Sequence, residues 1–525
     1  MRMDVSDVIG SFGLYHFIVL LVTVLRALPS AWTLTGIDFI SGDVPFRCAY
    51  DEDTWYLIKK NHSLERYLKN NCSKFHIQID HKDESVLLNI SAPLKCPKFA
   101  FDKPDTAYGW SVVEEWSLVC DRHLMGSAMQ SIVFAGSFVG AIIFGLVADW
   151  QGRRRSLLVS TVTFAGFAMI SATQKSFWLF NTFRFFQAAA VAGIQITASA
   201  LFMELLLPRD RYLFNVGFSI GFAVCTVPIP YVTMALNSWQ LFQLVTGLCA
   251  LCILLPLLVV EESPRWLVSQ KRTLEAREVL NSIFTTNRRI VSNFSYLMSN
   301  LVEQTHNREI EGIFRLLGHG RLRIQLSLIL LYWLIENGIY YAEIFLSSHI
   351  RDTDHKLAFA INAAAEIPAG LIGMIFLRYF NRRSSMASSL AVGSACAIVA
   401  AAIPIQDALY SLVLSGLTRF FLTLATSIKW VYTLELMPTN IRSLGFAMAF
   451  AMGRIGGIFA PYIRDMAISS PENQKWCFVI ISVGSLCATM LVFFLPETIN
   501  AQLPDSFFET FRRQRRRRGQ SIPRT

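Results

Sequence analysis

The stretch GLVADWQGRRR, residues 145–155, recurs in altered form in the second half of the chain. Its second copy is RYFNRR, residues 378–383, in which Arg378 stands 229 residues after Asp149. Both copies follow a long apolar stretch and end in consecutive arginines. The recurrence indicates that the chain is built from two related halves.

Two further charged landmarks recur at nearly the same offset. The segments 204–211 (ELLLPRDR) and 435–442 (ELMPTNIR) both place an arginine seven residues after a glutamate, and the two glutamates lie 231 residues apart. Glu262, in the motif ESP, has a counterpart in Glu497, in the motif PET, 235 residues later. Parallel repeats are expected in a transporter that rocks two bundles about a central site. The three landmarks therefore predict that architecture.

The acids in these landmarks favour a gate. Carboxylates and guanidiniums at helix ends form bidentate networks, and a network made in only one conformation biases a two-state equilibrium. The predicted gating residues are Asp149, Gly152, Arg153, Arg154, Glu204, Arg211, Glu262, Arg265, Arg382, Arg383, Glu435, Arg442 and Glu497. The alternative is that the arginines are positive-inside anchors and the acids incidental, although the positive-inside rule requires no acids.

The composition excludes an ordinary soluble protein. Of 525 residues, 53% are hydrophobic and only 16% are charged, and phenylalanine occurs 40 times. The net charge of +10 arises partly from short basic runs between apolar stretches, which is typical of cytoplasmic membrane loops. We therefore expect a lipid bilayer as the surroundings and no nucleic acid as a partner. The acidic, nearly neutral start of the chain is not typical of a cleavable signal peptide.

The apolar stretches predict an all-α membrane protein, because about 20 apolar residues cross a bilayer as a helix. We predict twelve transmembrane helices in two six-helix bundles. The first six lie near residues 15–38, 124–148, 156–174, 177–206, 213–235 and 239–260. The second six lie near residues 323–347, 355–377, 385–404, 409–433, 443–465 and 474–496.

The orientation follows from the short loops. Every basic loop (GRRRS, PRDR, LRYFNRRS and TNIR) follows an even-numbered span, so both termini are predicted to be cytoplasmic. The resulting domains are an N-terminal six-helix bundle (1–260) with an extracellular loop (39–123), a cytoplasmic linker with short helices (261–322), a C-terminal six-helix bundle (323–496) and a basic cytoplasmic tail (497–525).

The first loop carries the features of an extracellular segment. It holds three glycosylation sequons, at Asn61, Asn71 and Asn89. It also holds four cysteines in what would be an oxidising compartment, which predicts two disulfides with three possible pairings. These cysteines are Cys48, Cys72, Cys96 and Cys120.

With these features the chain resembles the major facilitator superfamily, and within it the organic ion transporter family (solute carrier family 22). GLVADWQGRRR is similar to the superfamily signature after helix two, and ESPRWL (262–267) to the segment after helix six. YTLELMPTNIRSLG (432–445), LPETINAQLPD (495–505) and the long cysteine-bearing first loop resemble the organic ion branch. The resemblance implies transport of small organic cations, zwitterions or anions across the plasma membrane.

One departure from the family pattern makes the gate asymmetric. The second copy has Arg378 where the first has Asp149, and Asn381 where the first has Gly152. The family's acid is therefore not carried over to this position. Some carnitine-type members have a similarly degenerate stretch, which favours that branch.

Charged residues at membrane depth are costly and usually face a water-filled cavity. Arg454, in GRIGGIFAP, resembles the arginine that is typical of the family's anion and zwitterion carriers, and a guanidinium there would hold a carboxylate bidentately. Glu366, in AEIPAG, resembles the family's acid before a proline and would receive an ammonium or a coupling cation. The alternative is an interhelical ion pair between Arg454 and Glu366.

Span seven supplies further candidates. Helical spacing places Glu336, Tyr340 and Glu343 on one face, where acids beside aromatic rings can hold an ammonium group. Glu343 would alternatively be solvated near the outer interface. Lys429 and Arg26 are further charges at membrane depth that either bind substrate or snorkel. We include Lys429 in the substrate site and interpret Arg26 as structural.

One arginine with several carboxylates favours a zwitterion or organic anion as cargo. We therefore predict a secondary transporter of small organic ions that works by alternating access, with organic cation transport as the alternative. A hexose facilitator and a non-transporting sensor of the same fold are less favoured. No enzymatic or metal motif stands out, so neither an enzyme nor a cofactor is expected. The expected partners are the substrate, a coupling ion (Na⁺, H⁺ or a counter-substrate) and the bilayer, with the protein as a monomer in the plasma membrane.

Overall fold

A computed structural model describes residues 5–41, 44–49, 72–80, 85–96, 98–101, 111–289, 294, 320–349, 353–402, 408–437 and 442–498. Within these residues, eleven helices are long and apolar enough to cross a membrane, or twelve if a bent pair counts as one span. The prediction of an all-α membrane protein with twelve spans is therefore confirmed. Its orientation in the bilayer stays a prediction.

The spans of the first half begin and end close to their predicted limits. Span 1 comprises Leu14–Leu25, Ala27–Thr35 and Ile37–Ile40, span 2 Leu124–Gln151, span 3 Arg153–Ala172, span 4 Phe177–Leu205, span 5 Val216–Ile220, Gly221–Thr226 and Ile229–Leu236, and span 6 Trp239–Leu251 and Leu254–Leu257. A short helix, Val5–Ile9, precedes them.

The second half repeats this order. Span 7 is Gly320–Ser347, span 8 comprises His355–Ala364 and Glu366–Tyr379, span 9 is Arg382–Ala402, span 10 Ala408–Leu436, span 11 Arg442–Ser469 and span 12 Pro471–Phe493. Between the halves lie the helices Pro264–Ser269 and Thr273–Thr286. The first begins with Pro264 after Ser263, whose hydroxyl accepts from the Trp266 N–H at 3.2 Å.

Spans 1, 5 and 8 are interrupted beside the cavity, span 1 at Arg26. Span 5 starts with a π-helical turn, Val216–Ile220, and bends by 48° before Ile229–Leu236. Span 8 breaks at Ala365, just before Pro368, which cannot donate the usual helical hydrogen bond. Irregular backbone at membrane depth is tolerated where it is buried in protein or lines a cavity.

Apolar side chains point outward along the spans. Ile143, Val159, Ile375, Leu417 and Leu486 are each more than a third exposed, as expected of residues that face lipid.

The two halves meet where span 2 crosses span 11. A Cβ at Gly145 would lie only 2.5 Å from that of Ala447. The absence of a side chain at Gly145 therefore permits this close approach.

The first loop contains two small antiparallel sheets. Strand β1 (Phe46–Cys48) pairs with β4 (Phe99–Phe101), and β2 (Ser73–Asp80) pairs with β3 (Ser85–Lys95). Disulfides join Cys48 to Cys96 and Cys72 to Cys120. The prediction of two disulfides is confirmed, and this is one of the three pairings that the sequence left open.

The loop ends in a short helix, Val112–Trp116, whose start is closed by a capping box between Ser111 and Glu114. Asn61 and Asn71 lie outside the described residues, and Asn89 lies in β3. Glycosylation at the three sequons therefore stays a prediction.

Candidate functional site

A cavity lies between the two halves. It is lined by both of them: span 1 supplies Arg26, span 4 Gln195 and span 5 Phe218, while span 7 supplies Tyr340 and Tyr341, span 8 Glu366 and span 11 Arg454. Three of the six predicted substrate residues, Arg454, Glu366 and Tyr340, therefore line one cavity. The other three, Glu336, Glu343 and Lys429, are buried outside this lining.

Arg454 joins the two halves across the cavity. Its guanidinium donates to the Tyr341 hydroxyl of the same half at 2.7 Å and to the Gln195 side-chain oxygen of the other half at 3.0 Å. Its charge centre also lies 4.2 Å from the ring centre of Phe450, within cation–π range. All three partners are neutral.

Arg26 is the second arginine of the cavity. Its charge centre lies 3.6 Å from the ring centre of Phe218, and one of its terminal nitrogens donates to the Gly217 carbonyl at 3.4 Å. Its Nε finds no acceptor among the described protein atoms. The interpretation of Arg26 as structural therefore does not describe it fully, because its side chain also lines the cavity.

Glu366 does not pair with Arg454. It accepts from Arg419 Nε of span 10 at 2.8 Å and from the Tyr340 hydroxyl at 3.1 Å. The expected alternative of an Arg454–Glu366 ion pair is therefore wrong. Arg419 was not recognised from the sequence, although it stands in the same apolar stretch as Lys429. The Glu366 carboxylate lines the cavity with its charge already neutralised.

Two other predicted residues form a buried pair. The Lys429 ammonium contacts the Glu336 carboxylate and lies 4.2 Å from the ring centre of Trp333. Thr426 donates to the same carboxylate. Both charged side chains are fully buried, so the snorkelling expected as an alternative for Lys429 is wrong. The pair ties span 7 to span 10.

Glu343 is also fully buried, so the alternative of a solvated side chain is wrong. One carboxyl oxygen accepts from the Ser415 hydroxyl at 2.6 Å. The other has no hydrogen-bond donor among the described residues. Span 7 therefore directs Glu336, Tyr340 and Glu343 toward neighbouring spans, as their helical spacing suggested, but only Tyr340 reaches the cavity.

The remaining wall of the cavity combines aromatic rings with unpaired polar groups. Phe218 and Trp430 lie 5.3 Å apart, measured between ring centres. Both polar atoms of the Asn215 side chain and the hydroxyls of Ser219 and Thr423 lack a hydrogen-bond partner among the described residues. Buried polar groups normally find partners. Such a surface suits a ligand with both polar and apolar parts.

The predicted gating residues form a buried network, which we call the inner cluster after the predicted cytoplasmic face. In the first half Arg153 donates to Glu204 at 2.9 Å and lies 3.2 Å from Asp149. Glu262 accepts from the Arg153 backbone N–H at 2.7 Å. Ser263 donates to Glu204 at 2.5 Å. Burial raises the pKa of the Glu262 carboxyl, although the backbone donors oppose this.

The second half builds the same arrangement from different residues. Glu497 accepts from the backbone N–H groups of Arg382 and Arg383, each at 3.0 Å. Thr498 donates to Glu435 at 2.7 Å, and Arg382 lies 3.6 Å from that carboxylate. These contacts repeat those of the first half. In both halves, acids at helix ends therefore accept the corresponding hydrogen bonds. The halves differ where the second copy has Arg378 in place of Asp149 and Asn381 in place of Gly152.

Hydrogen bonds of the inner cluster also cross between the halves. Arg211 donates to Glu435 at 2.9 Å, with both side chains buried. Asp149 accepts from the Leu444 backbone N–H at the start of span 11, also at 2.9 Å.

The other predicted gating residues lie beside these contacts. Arg265 is buried in the helix after span 6. Arg154 lies 3.7 Å from Glu261 in a half-exposed pair. The side chain of Arg442 lies outside the described residues. Arg378, which replaces the acid in the second copy, has its charge centre 5.2 Å from the ring centre of Tyr212.

A second cluster, which we call the outer cluster, joins the halves at the opposite end. Arg464 of span 11 contacts Asp38 of span 1 and lies 3.0 Å from Asp465. It donates to Ser127 of span 2 at 2.9 Å, and Ser348 donates to Asp38 at 2.8 Å. The cluster was not recognised from the sequence because its members stand singly at the ends of apolar stretches. Contacts between the halves therefore exist at both ends of the cavity.

The described residues also contain a buried arginine that no sequence motif singled out. Arg184 of span 4 donates to the Thr33 carbonyl at 3.2 Å. Its charge centre lies 5.6 Å from the ring centre of Phe180. It packs within the first half and does not line the cavity.

Comparison with known proteins gives consistent matches. The family model described as "Sugar (and other) transporter" matches residues 87–505. Solute carrier family 22 member 15 of Xenopus tropicalis is 30% identical, over 75% of this chain and 74% of that protein. Organic cation transporter protein of Drosophila melanogaster is 24% identical over 96% of this chain and 93% of that protein. Organic cation/carnitine transporter 2 of Homo sapiens is 23% identical over 97% of this chain and 94% of that protein.

Among solved structures, the proton:xylose symporter XylE bound to 6-bromo-6-deoxy-D-glucose matches with a TM-score of 0.66 and 16% identity. The match covers 95% of this chain and 99% of that chain. At this identity the likeness shows the major facilitator fold alone. These relatives and neighbours are transporters, not enzymes.

Proposed function

From the premise that this chain belongs to the Sugar (and other) transporter family, we propose that it carries small carboxylate-bearing organic ions, zwitterions or anions, across the plasma membrane. As a member of that family it is a multi-pass membrane protein and a secondary transporter. The cargo, the membrane and the direction of transport belong to the proposal.

The charge balance of the cavity carries the choice of cargo. Arg454 and Arg26 both line it, and among the described residues neither has a carboxylate partner. The one acid in the lining, Glu366, is neutralised by Arg419 at 2.8 Å. The lining therefore has an excess of positive charge at membrane depth, where an unpaired charge is costly. A substrate carboxylate would remove part of that cost.

Arg454 would couple binding to movement. Its guanidinium already donates to Gln195 of the opposite half at 3.0 Å. A carboxylate is a stronger acceptor than an amide oxygen because its hydrogen bonds with arginine are charge-assisted. A bound carboxylate would therefore replace a weak contact between the halves by a stronger one that runs through the substrate. Such differential binding is what a ligand needs in order to shift a conformational equilibrium.

The aromatic wall accommodates the rest of a zwitterion. Trp430, Phe218 and Phe222 line the cavity together with Glu366. A substituted ammonium group is attracted to ring faces within about 6 Å, and Glu366 retains one oxygen that accepts neither from Arg419 nor from Tyr340. This division into an arginine side and an aromatic side supports a zwitterion.

The inner and outer clusters would act as the two gates of alternating access. Each joins residues of both halves, through Arg211 and Glu435 at one end and Asp38 and Arg464 at the other. Opening one end requires its cross-half contacts to break while those of the other end hold. The cavity between them would then be exposed to one side at a time.

Transport of organic cations is the second candidate. The named relatives from Drosophila melanogaster and Homo sapiens are an organic cation transporter protein and an organic cation/carnitine transporter. Glu366 in the cavity lining is the observation in this chain that favours it. For cations to bind there, Arg419 would have to release the carboxylate.

Uptake into proteoliposomes tests the proposal. The uptake of radiolabelled carnitine, p-aminohippurate and tetraethylammonium is measured for the purified wild type and its variants. Wild type should take up the first two, and Arg454→Ala should reduce this by roughly tenfold or more, since hydrogen bonds to charged groups contribute about 1.5–3 kcal/mol. Arg122→Ala, which removes an exposed loop arginine, is the matched control and should behave as wild type. Carnitine and p-aminohippurate uptake that is equal in Arg454→Ala and wild type would contradict the proposal.

A further inference from the structure

Among the described residues at membrane depth in the second half, Glu343 is a buried carboxyl group without a cationic partner. Glu336 is paired with Lys429, and Glu366 with Arg419. Glu343 remains, with 0% of its surface exposed. Among the described residues, one carboxyl oxygen of Glu343 accepts a hydrogen bond from the Ser415 hydroxyl at 2.6 Å. The second carboxyl oxygen has no hydrogen-bond partner among them.

An ionised carboxylate in this position would be unfavourable. An isolated charge in an apolar environment is not retained in practice, because the group neutralises instead. A carboxylate that stays charged inside a protein usually accepts several hydrogen bonds or pairs with a cation. Glu343 has neither arrangement, whereas protonation would remove the unpaired charge while the Ser415 hydroxyl still donates to the other carboxyl oxygen.

Arg419 is the charged group placed to alter this state. It stands one helical turn after Ser415 on span 10, on the same face as the serine that donates to Glu343. Its Nε, however, is held by Glu366 at 2.8 Å and one terminal nitrogen by the Ser347 hydroxyl at 3.0 Å. Its other terminal nitrogen has no acceptor among the described residues. Two carboxyl groups therefore share one guanidinium that is bonded to only one of them.

The other buried charges on the helices around Glu343 are already committed. Span 11 contributes Arg454, which is bonded to a tyrosine hydroxyl and a glutamine oxygen. Span 10 contributes Lys429, and span 7 itself contributes Glu336, and these two form a pair with each other. Lys429 is therefore committed to Glu336, and the printed hydrogen bonds of Arg454 go to Tyr341 and Gln195 rather than to Glu343.

The remaining acidic, basic and histidine side chains of spans 8 and 12 lie near the ends of those helices. Span 12 carries Glu472 and Lys475 only near its start. Span 8 carries His355 and Lys356 only in its first turn, and the His355 ring contacts the Ser348 carbonyl at 2.7 Å.

We propose that Glu343 is the proton-binding site of this transporter, loaded in the present conformation and emptied when Arg419 moves from Glu366 to Glu343. This inference rests on the proposed transport function and names its coupling ion. In the loading step the carboxylate takes one proton from the aqueous side to which it is open. In the release step the arriving guanidinium stabilises the carboxylate, and the proton leaves to water on the other side.

The break in span 8 gives this exchange a structural basis. Glu366 is the first residue of the helix Glu366–Tyr379 and follows the interruption at Ala365. A bundle that rocks would bend at such an interruption, since the helical hydrogen bonds are already incomplete there. Bending would carry Glu366 away from Arg419, which span 10 holds in place. Arg419 would then be free to pair with Glu343.

Infrared difference spectroscopy of the reconstituted protein tests whether Glu343 holds a proton. At neutral pH wild type should show the C=O stretch of a protonated carboxyl group, and Glu343→Gln should lack it. Glu472→Gln, which removes an exposed acid, should retain the band. Ser415→Ala should shift the band, because that hydroxyl donates to the same carboxyl group, and this variant decides the question if Glu343→Gln does not fold. A band that is missing in wild type, or that persists in folded Glu343→Gln, overturns the proposal.

A proton gradient tests the coupling separately. Proteoliposomes with an acidic exterior and a clamped membrane potential should accumulate radiolabelled carnitine up to about tenfold for each pH unit, the thermodynamic limit for one proton per substrate. Glu343→Gln should lose this stimulation and keep carnitine–carnitine exchange. Wild-type uptake that does not depend on the pH gradient would contradict proton coupling. It would not contradict the proposed transport function. Absence of any carnitine exchange would instead contradict the proposed transport function. The infrared band of the Glu343 carboxyl group would still test whether that group holds a proton.

Discussion

Arg211 of the first half donates a 2.9 Å hydrogen bond to Glu435 of the second half, and both side chains are almost fully buried. In sequence each belongs to one copy of the same repeated motif, in which Glu204 precedes Arg211 and Glu435 precedes Arg442 by seven residues. In space the first-copy arginine bonds to the second-copy glutamate. The repeat therefore does more than duplicate a loop, because the two copies hold the halves together.

The Arg211–Glu435 pair should stabilise the inner end in its joined state. Glu435→Gln removes the carboxylate that Arg211 and Arg382 both approach, and breaking a buried pair from one side typically costs about 3–5 kcal/mol. We expect a lower unfolding temperature and a shift toward separation at the inner end. Thermal unfolding and distances between spin labels on spans 5 and 10 measure these effects.

A double-mutant cycle separates the pair from general damage. Removing both partners, in Arg211→Met with Glu435→Gln, should cost less than the sum of the single changes, because the energy of the Arg211–Glu435 contact is then lost only once. Additive losses would show that the two side chains contribute independently and that the gate interpretation is wrong.

The outer cluster should respond in the opposite direction. Asp38→Asn removes the charge that holds Arg464, so contacts between the halves weaken at that end. A cysteine introduced at Ser219, in the cavity lining, should then react faster with a membrane-impermeant thiol reagent added outside. The background lacks the free native cysteines. Equal reaction rates with and without Asp38→Asn would contradict an outer gate.

Gly152 offers a test of the asymmetry between the two copies. Its φ of +100° lies in a region that side chains disfavour, and a Cβ there would lie 2.8 Å from the Glu262 carboxyl carbon. Gly152→Ala should destabilise the protein by about 1–3 kcal/mol, the usual range for such strain. Asn381→Ala, at the matching position of the second copy, is the control.

The expected difference between these two variants is large. Asn381 does not belong to the residues with positive φ in the described structure, so its replacement should change the unfolding temperature little. Equal destabilisation by both alanines would show that backbone conformation is not what distinguishes the copies.

Arg419 should control the charge preference of the cavity. Arg419→Met releases the Glu366 carboxylate, which lines the cavity, and we expect tetraethylammonium uptake to rise relative to p-aminohippurate. Glu366→Gln in the same chain removes the released charge and should restore the original preference. Competition between the two labelled probes measures the ratio. A ratio that is the same in wild type and Arg419→Met would show that Arg419 does not neutralise the cavity acid.

Much of the fold was predictable because a bilayer imposes a strong pattern. Spans of about 20 apolar residues are required by its thickness, and the described helices begin and end within a few residues of the predicted limits. The cysteines of the first loop predicted two disulfides. Their pairing was not predictable, because four cysteines allow three pairings and only the folded loop brings Cys48 to Cys96.

The candidate site was predictable only in part. Arg454 and Glu366 were recognised as charges at membrane depth, and both line the cavity. Their partners were not recognised, since an ion pair depends on which helix faces which, and sequence spacing reports only neighbours on one helix. Arg419 and Lys429 illustrate this, because each pairs with an acid more than fifty residues away.

The sequence alone therefore determined that this protein has eleven or twelve helices long and apolar enough to span a membrane, and that it repeats a charged motif in two halves, because hydropathy and repetition are properties of the chain itself. The tertiary structure alone decided which charges neutralise one another. It brings Arg211 to Glu435 and Arg419 to Glu366, and among the described residues it leaves Arg454 with neutral partners only. The reason is that a buried charge is defined by its surroundings, and those exist only after the helices have packed.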